Sequence, residues 1–190
     1  MKNAIIVHGR PDKKEYYDPK FPSASNYHWL PWLQKQLLIY DIPAATPEMP
    51  HAYAPDYSTW QKEFERYDLT PDTILVGHSS GASFIVRWLS EHPRVSVGKV
   101  VLVAPSIHPD RKTDHDFYRM TIDPTLKSRT KGLIVFYANN DTHDIVKSVA
   151  ILQKIIPGVS VREFPGYGHF THLDMKSSEF PELLEEILRV

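Results

Sequence analysis

Three residue types in this chain could together carry out nucleophilic acyl chemistry. A serine hydroxyl is a weak nucleophile at neutral pH, so it needs a base, and the base needs a group that holds its tautomer. The pentapeptide Gly77-His78-Ser79-Ser80-Gly81 offers the hydroxyl. An apolar, β-branched run (Thr73 to Val76) stops at Gly77 and a helix-compatible run starts near Ala82, which places Ser79 on a sharp strand-to-helix turn. At such a turn the nucleophile's backbone is strained, and the residues two before and two after it must be small for strand and helix to pass closely. The helix dipole would favour negative charge beside Ser79.

The partners should follow in the order acid, then histidine, each on a turn leaving the carboxyl edge of a sheet. After the run Leu133 to Ala138 come Asn139-Asn140-Asp141-Thr142-His143-Asp144, offering two carboxylates. Asp144 sits where a helix begins, the place of an N-cap; Asp141 is nearer the strand end and takes the orienting role. His143 is expected at the surface. After Val161 to Phe164, Pro165-Gly166-Tyr167-Gly168-His169-Phe170 carries an imidazole on a turn with two glycines, and His169 is the expected base. His172 competes for the role but lies closer to the helical tail. The Ser80 N–H, at the helix start, is the first expected oxyanion donor and the Arg10 N–H the second. His8, Gly9 and His78, on the first turn and the elbow, are expected as walls of the binding site.

The elements that must hold these turns are legible as alternating runs. Ala4 to Val7, Ile42 to Thr46, Thr73 to Val76, Val97 to Ala104, Gly132 to Ala138 and Val159 to Phe164 read as strands. Between them Trp29 to Leu38, Tyr57 to Tyr67 (with Ser58 as N-cap and Gln61 completing a capping box), Ala82 to Glu91, Ile145 to Ile156 and Glu179 to Leu188 read as helices. Strands alternating with helices predict an α/β fold, a parallel sheet covered on both faces by right-handed crossovers. The Trp29-to-Leu38 tryptophans are expected as core anchors. Residues 12–27 lack a period and read as a surface loop whose Tyr16, Tyr17 and Phe21 could rim the mouth of the site; residues 105–131 read as a lid-like segment.

Composition narrows the classes of function. The chain has 190 residues, which suits one domain, and a net charge of −1 with scattered basic residues, which gives no footprint for nucleic acid or an anionic membrane. It has no cysteine, excluding disulfides and thiolate chemistry, and no apolar run of signal or membrane-spanning length, so a soluble cytoplasmic protein is expected. Ten histidines raise the question of a metal, but no H-E-x-x-H spacing occurs, and Asp114-His115-Asp116 has no partner motif. No G-x-G-x-x-G follows the first strand. No metal and no cofactor are expected, and the oligomeric state is not legible.

Taken together, G-H-S-S-G-A (77–82), the Asn-Asn-Asp turn (139–141) and G-H-F (168–170) resemble an α/β-hydrolase, and more narrowly the small serine hydrolases of the YdeN and retinoblastoma-binding protein nine family. The resemblance runs over nearly the whole chain. It implies a six-stranded core, a minimal cap, a Ser79–Asp141–His169 triad and esterase- or peptidase-like action on small acyl substrates. Two features depart from that pattern: His-Gly-Arg-Pro and a long polar insertion stand where a Gly-rich loop is usual, and L-x-C-x-E is impossible without cysteine. The expected activity is cleavage of a carboxylic ester or related small acyl bond. The alternatives are an amidase or aminopeptidase with the same triad, and a non-catalytic binding module on the same scaffold.

Overall fold

The computed structural model describes residues 2–107 and 116–189. Six strands, β1 (Ala4–Val7), β2 (Ala44–Ala45), β3 (Ile74–His78), β4 (Val97–Val103), β5 (Thr130–Tyr137) and β6 (Ser160–Glu163), form one sheet in the order β2-β1-β3-β4-β5-β6. Every pairing is parallel. The order doubles back between β1 and β3, so the turns after those two strands open side by side at the carboxyl edge, where such sheets bind ligands.

The period of two along each strand sorts its side chains to the two faces. Ile5, Val7, Leu75, Val100 and Leu102 join one cluster with Trp60 and Phe64 of α3 (Tyr57–Phe64), Phe84 and Trp88 of α4 (Ser80–Glu91), and Val149 and Leu152 of α5 (His143–Ile155). Ala4, Ile6, Ile74, Val76 and Val101 join the other with Leu33 and Leu37 of α2 (Leu30–Ile39), and Leu183 and Ile187 of α7 (Pro181–Leu188). The expected arrangement, a parallel sheet with helices on both faces, is the observed one. The completing elements are α1 (Lys13–Tyr17) and α6 (His172–Met175).

Four local expectations change. Residues 12–27 are not all loop: α1 lies between Pro11 and Pro19, with the Tyr16 N–H bonded to the Asp12 carbonyl at 2.8 Å. Five residues are too few to show a helical period. The cap of α3 is Asp56, not Ser58; its carboxylate accepts the Thr59 N–H at 2.8 Å, while the Ser58 hydroxyl merely donates to the same oxygen. The cap of α5 is Thr142, which leaves Asp144 exposed inside the first turn. The described part of 105–131 is not a lid. Phe117, Tyr118, Ile122 and Leu126 are buried in the core beside α4, and the Arg129 guanidinium donates to the Leu89 and Val95 carbonyls. Residues 108–115, with Asp114 and His115, lie outside the described residues; Asp116 pairs with Arg87.

Candidate active site

The elbow after β3 has the conformation its sequence demands. Ser79 sits at φ 54°, ψ −115°, a region that costs a non-glycine residue on the order of 1–3 kcal/mol. Small flanking residues make it possible: a Cβ on Gly77 would stand 2.6 Å from the Ala82 backbone, and one on Gly81 would stand 2.3 Å from the Val7 carbonyl oxygen. The Ser79 N–H is already bound to the Val103 carbonyl at 2.9 Å. Ser80, as first residue of α4, has no carbonyl four residues back to receive its own N–H. Its N–H is therefore not spent on an intrahelical bond.

The three residues picked from the sequence meet at this elbow. His169 Nε2 lies 2.9 Å from Ser79 Oγ, and His169 Nδ1 lies 2.8 Å from Asp141 Oδ2. With the carboxylate accepting from Nδ1–H, Nε2 is left as the acceptor of the serine proton, a tautomer assigned from these partners. The Asp141 side chain is 1% exposed, and its other oxygen takes the Thr142 N–H at 2.6 Å. Asp144 and His143 are exposed, and His172 opens α6 with its ring against His28 rather than Ser79.

The turn bearing His169 is held by four hydrogen bonds, whose partners residue type alone does not indicate. The Gly168 N–H donates to Asn140 Oδ1 at 3.0 Å, and the His169 N–H to Asp174 Oδ2 at 3.0 Å. His78 Nε2–H donates to the His169 carbonyl at 2.8 Å, and the Trp29 indole to the Phe170 carbonyl at 3.1 Å. Trp29 is thus a core anchor that also fixes this loop. The Thr-x-x-Asp spelling of 171–174 is a capping-box signal, and Asp174 forms that box at the start of α6.

Burial sets the protonation of the neighbouring imidazoles. His78 is pushed well below the ordinary histidine range by desolvation, then by the nearby His169 and His28. His8 is lowered first by desolvation, against the Gly9 carbonyl and Glu48. His8 donates from Nδ1 to that carbonyl at 2.7 Å and accepts the Met49 N–H on Nε2 at 2.8 Å, so both its ring nitrogens are occupied by backbone. His28 is lowered to about 4 by burial and by His172 and His169.

A cavity of about 800 Å³ opens over Ser79 and His169. His8, Gly9, Arg10 and His78 all line it, and a Cβ on Gly9 would come 3.1 Å from Ser79 Cβ, so the first turn closes directly on the elbow. The Arg10 side chain is tied back, Nε donating to the Tyr53 carbonyl at 2.9 Å. Tyr16 and Phe21 line the cavity with Tyr27, whereas Tyr17 is 61% exposed and bonded to the Tyr53 hydroxyl outside it. No described residue of 105–131 lines it. Among the described residues no three histidine or carboxylate side chains are grouped as metal ligands, and no helix is long and apolar enough to cross a membrane.

Comparison with known proteins agrees with this fold. A family model described as serine hydrolase matches residues 19–185. YdeN of Bacillus subtilis (strain 168) is 33% identical over 107 residues, a stretch covering 54% of this chain and 50% of YdeN, so that match spans about half of its relative's length. The crystal structure of the B. subtilis ydeN gene product superposes with a TM-score of 0.80 at 25% identity, covering 98% of this chain and 97% of that one. Est1E from Butyrivibrio proteoclasticus superposes with a TM-score of 0.63 over 98% of this chain and 86% of its own, at 14% identity, a likeness of fold alone. With a match running through most of its length and the α/β-hydrolase sheet beneath it, this YdeN-like chain belongs to the serine hydrolase family.

Proposed function

We propose that the protein cleaves carboxylic esters or related small acyl substrates through an acyl-enzyme on Ser79. The observation that carries the proposal is the unbroken line Ser79 Oγ–His169 Nε2 (2.9 Å), His169 Nδ1–Asp141 Oδ2 (2.8 Å), with Ser79 and His169 lining the cavity. Ser79 Oγ attacks the acyl carbon while His169 takes its proton, and Asp141 stabilises the imidazolium without itself becoming protonated. The oxyanion is received by the N–H of Ser80, with Arg10 N–H as second donor from the turn that closes on Ser79. His169 then protonates the leaving alkoxide, and water, deprotonated by His169, releases the acid. His8, Gly9 and His78 act as walls; the imidazoles of His8 and His78 are kept neutral by burial and add no charge beside the developing oxyanion. A volume of about 800 Å³ suits a small-molecule ester.

The test is covalent labelling with a fluorophosphonate together with turnover of p-nitrophenyl esters. The wild-type chain is expected to label and turn over, and Ser79→Ala to do neither. A wild-type chain that resists labelling, or a Ser79→Ala variant that labels equally, overturns the proposal. Matched ester and amide substrates decide between esterase and amidase; equal turnover of the amide assigns the latter.

A further inference from the structure

Ser80 Oγ and the Tyr118 hydroxyl, neither residue lining the cavity, lie 2.9 Å apart within the core. Tyr118 arrives from a segment distant in sequence that is itself gripped. Arg87 of α4 donates to the Asp116 and Phe117 carbonyls and to the Asp116 carboxylate (2.5, 3.2 and 3.1 Å). The Phe117 ring packs edge-on against Trp60 with centroids 4.9 Å apart. The Arg87 guanidinium in turn lies 3.6 Å over the Tyr57 ring. A phenol is therefore presented from a rigid seat to the residue that follows the strained serine.

Two hydroxyls in the core contribute little to stability as a pair, because replacing both with apolar groups of the same shape is close to neutral. Their geometric effect is larger. The direction of the Ser80 N–H is set by the peptide plane between Ser79 and Ser80, and Ser79 occupies a backbone region from which that plane would relax by rotating. Anchoring Ser80 Oγ opposes that rotation.

We infer that Tyr118 is a positioning residue for the proposed hydrolysis: through Ser80 Oγ it holds the Ser80 N–H on the oxyanion, and Arg87 holds Tyr118. This rests on the reading of Ser79 as nucleophile. Neither residue lines the cavity, so the effect falls on kcat and not on substrate binding.

The experiment compares the full-length wild type with Tyr118→Phe, Ser80→Ala and the double variant. It measures ester kinetics, the second-order rate of fluorophosphonate labelling, and the Tm. Each single variant is expected to lose about tenfold in kcat and in labelling rate with KM within about twofold, a fraction of the hundred- to thousandfold that removal of a whole oxyanion donor costs. The double variant is expected to lose no more than the worse single one while melting within a few degrees of wild type, since the two hydroxyls act as one device. Unchanged kcat, losses that multiply in the double variant, or a loss that follows the Tm overturns the inference. If Tyr118→Phe fails to fold, Ser80→Ala alone must show the kcat loss with KM held. A wild type that does not label at all overturns the nucleophile reading and this inference with it, whereas labelling that is unaffected in all three variants overturns this inference only.

Discussion

At the scale of single residues, the two carboxylates around the start of α5 are three positions apart and have opposite surroundings. Asp141 is buried against His169 and the Thr142 N–H; Asp144 is exposed in the first turn of the helix. Asp141→Asn is expected to lower kcat by about 10⁴-fold with the fold intact, because the amide presents the wrong partner to Nδ1 and the imidazole adopts the wrong tautomer. Asp144→Asn loses only a favourable dipole contact, about 0.5 kcal/mol, and is expected to leave kcat unchanged. Steady-state kinetics on the two variants checks the pair, and normal turnover in Asp141→Asn would reverse the assignment. Asp141 could be favoured from its place at the strand end, and Asp174 from the Thr-x-x-Asp capping-box spelling, but Asn140 could not be recognised as a holder of the His169 turn. Its partner is a backbone N–H, which leaves no trace in residue type.

At the scale of elements, the crossing of α4 over β1 governs the elbow. A methyl at Gly81 would meet the Val7 and His8 carbonyl oxygens at 2.3 and 2.5 Å, and both are backbone atoms without a rotamer to move. Gly81→Ala is expected to destabilise by roughly 3 kcal/mol or more and to displace the first turn from Ser79, losing activity as well as Tm. Thermal melts with labelling at a temperature where the variant is still folded check both effects. Asp56→Ala removes a cap whose carboxylate serves the Thr59 N–H and two hydroxyls, and is expected to cost about 1 kcal/mol without altering kcat. The same partners, the Thr59 hydroxyl first and then the Ser58 hydroxyl, hold the Asp56 carboxyl below the ordinary carboxylate range.

At the scale of the whole molecule, the buried imidazoles link stability to pH. The unfolded chain takes up protons near the ordinary histidine value of about 6.5, while folded His28 does so only at about 4, and folded His78 and His8 are likewise lowered. Between those values the unfolded state binds more protons, so stability is full above the unfolded value and falls as pH drops through the window. The charged or titratable groups that bear on His28 are His172, His169, Asp174 and its T-shaped ring neighbour His78, with Tyr27 stacked on it. Urea midpoints are expected to decline steadily from pH 7 to pH 4, with His28 contributing at most about 3 kcal/mol. His28→Asn is expected to flatten the slope, and an unchanged slope would place its cause elsewhere.

The sequence by itself determined the order of the six strands along the chain, the elbow at Ser79, and the rank of serine, acid and histidine. Each of these is a local matter: small residues beside a strained turn, β-branched runs of strand length, a turn at each strand end. Only the tertiary structure decided which residues of 12–27 line the cavity, with Tyr16 and Phe21 in it and Tyr17 outside, that the described residues of 105–131 pack into the core, and that the Tyr118 hydroxyl meets Ser80. Those outcomes depend on pairs tens of residues apart, joined by burial and by backbone hydrogen bonds, and neither periodicity nor residue type along the chain encodes which distant partners will meet.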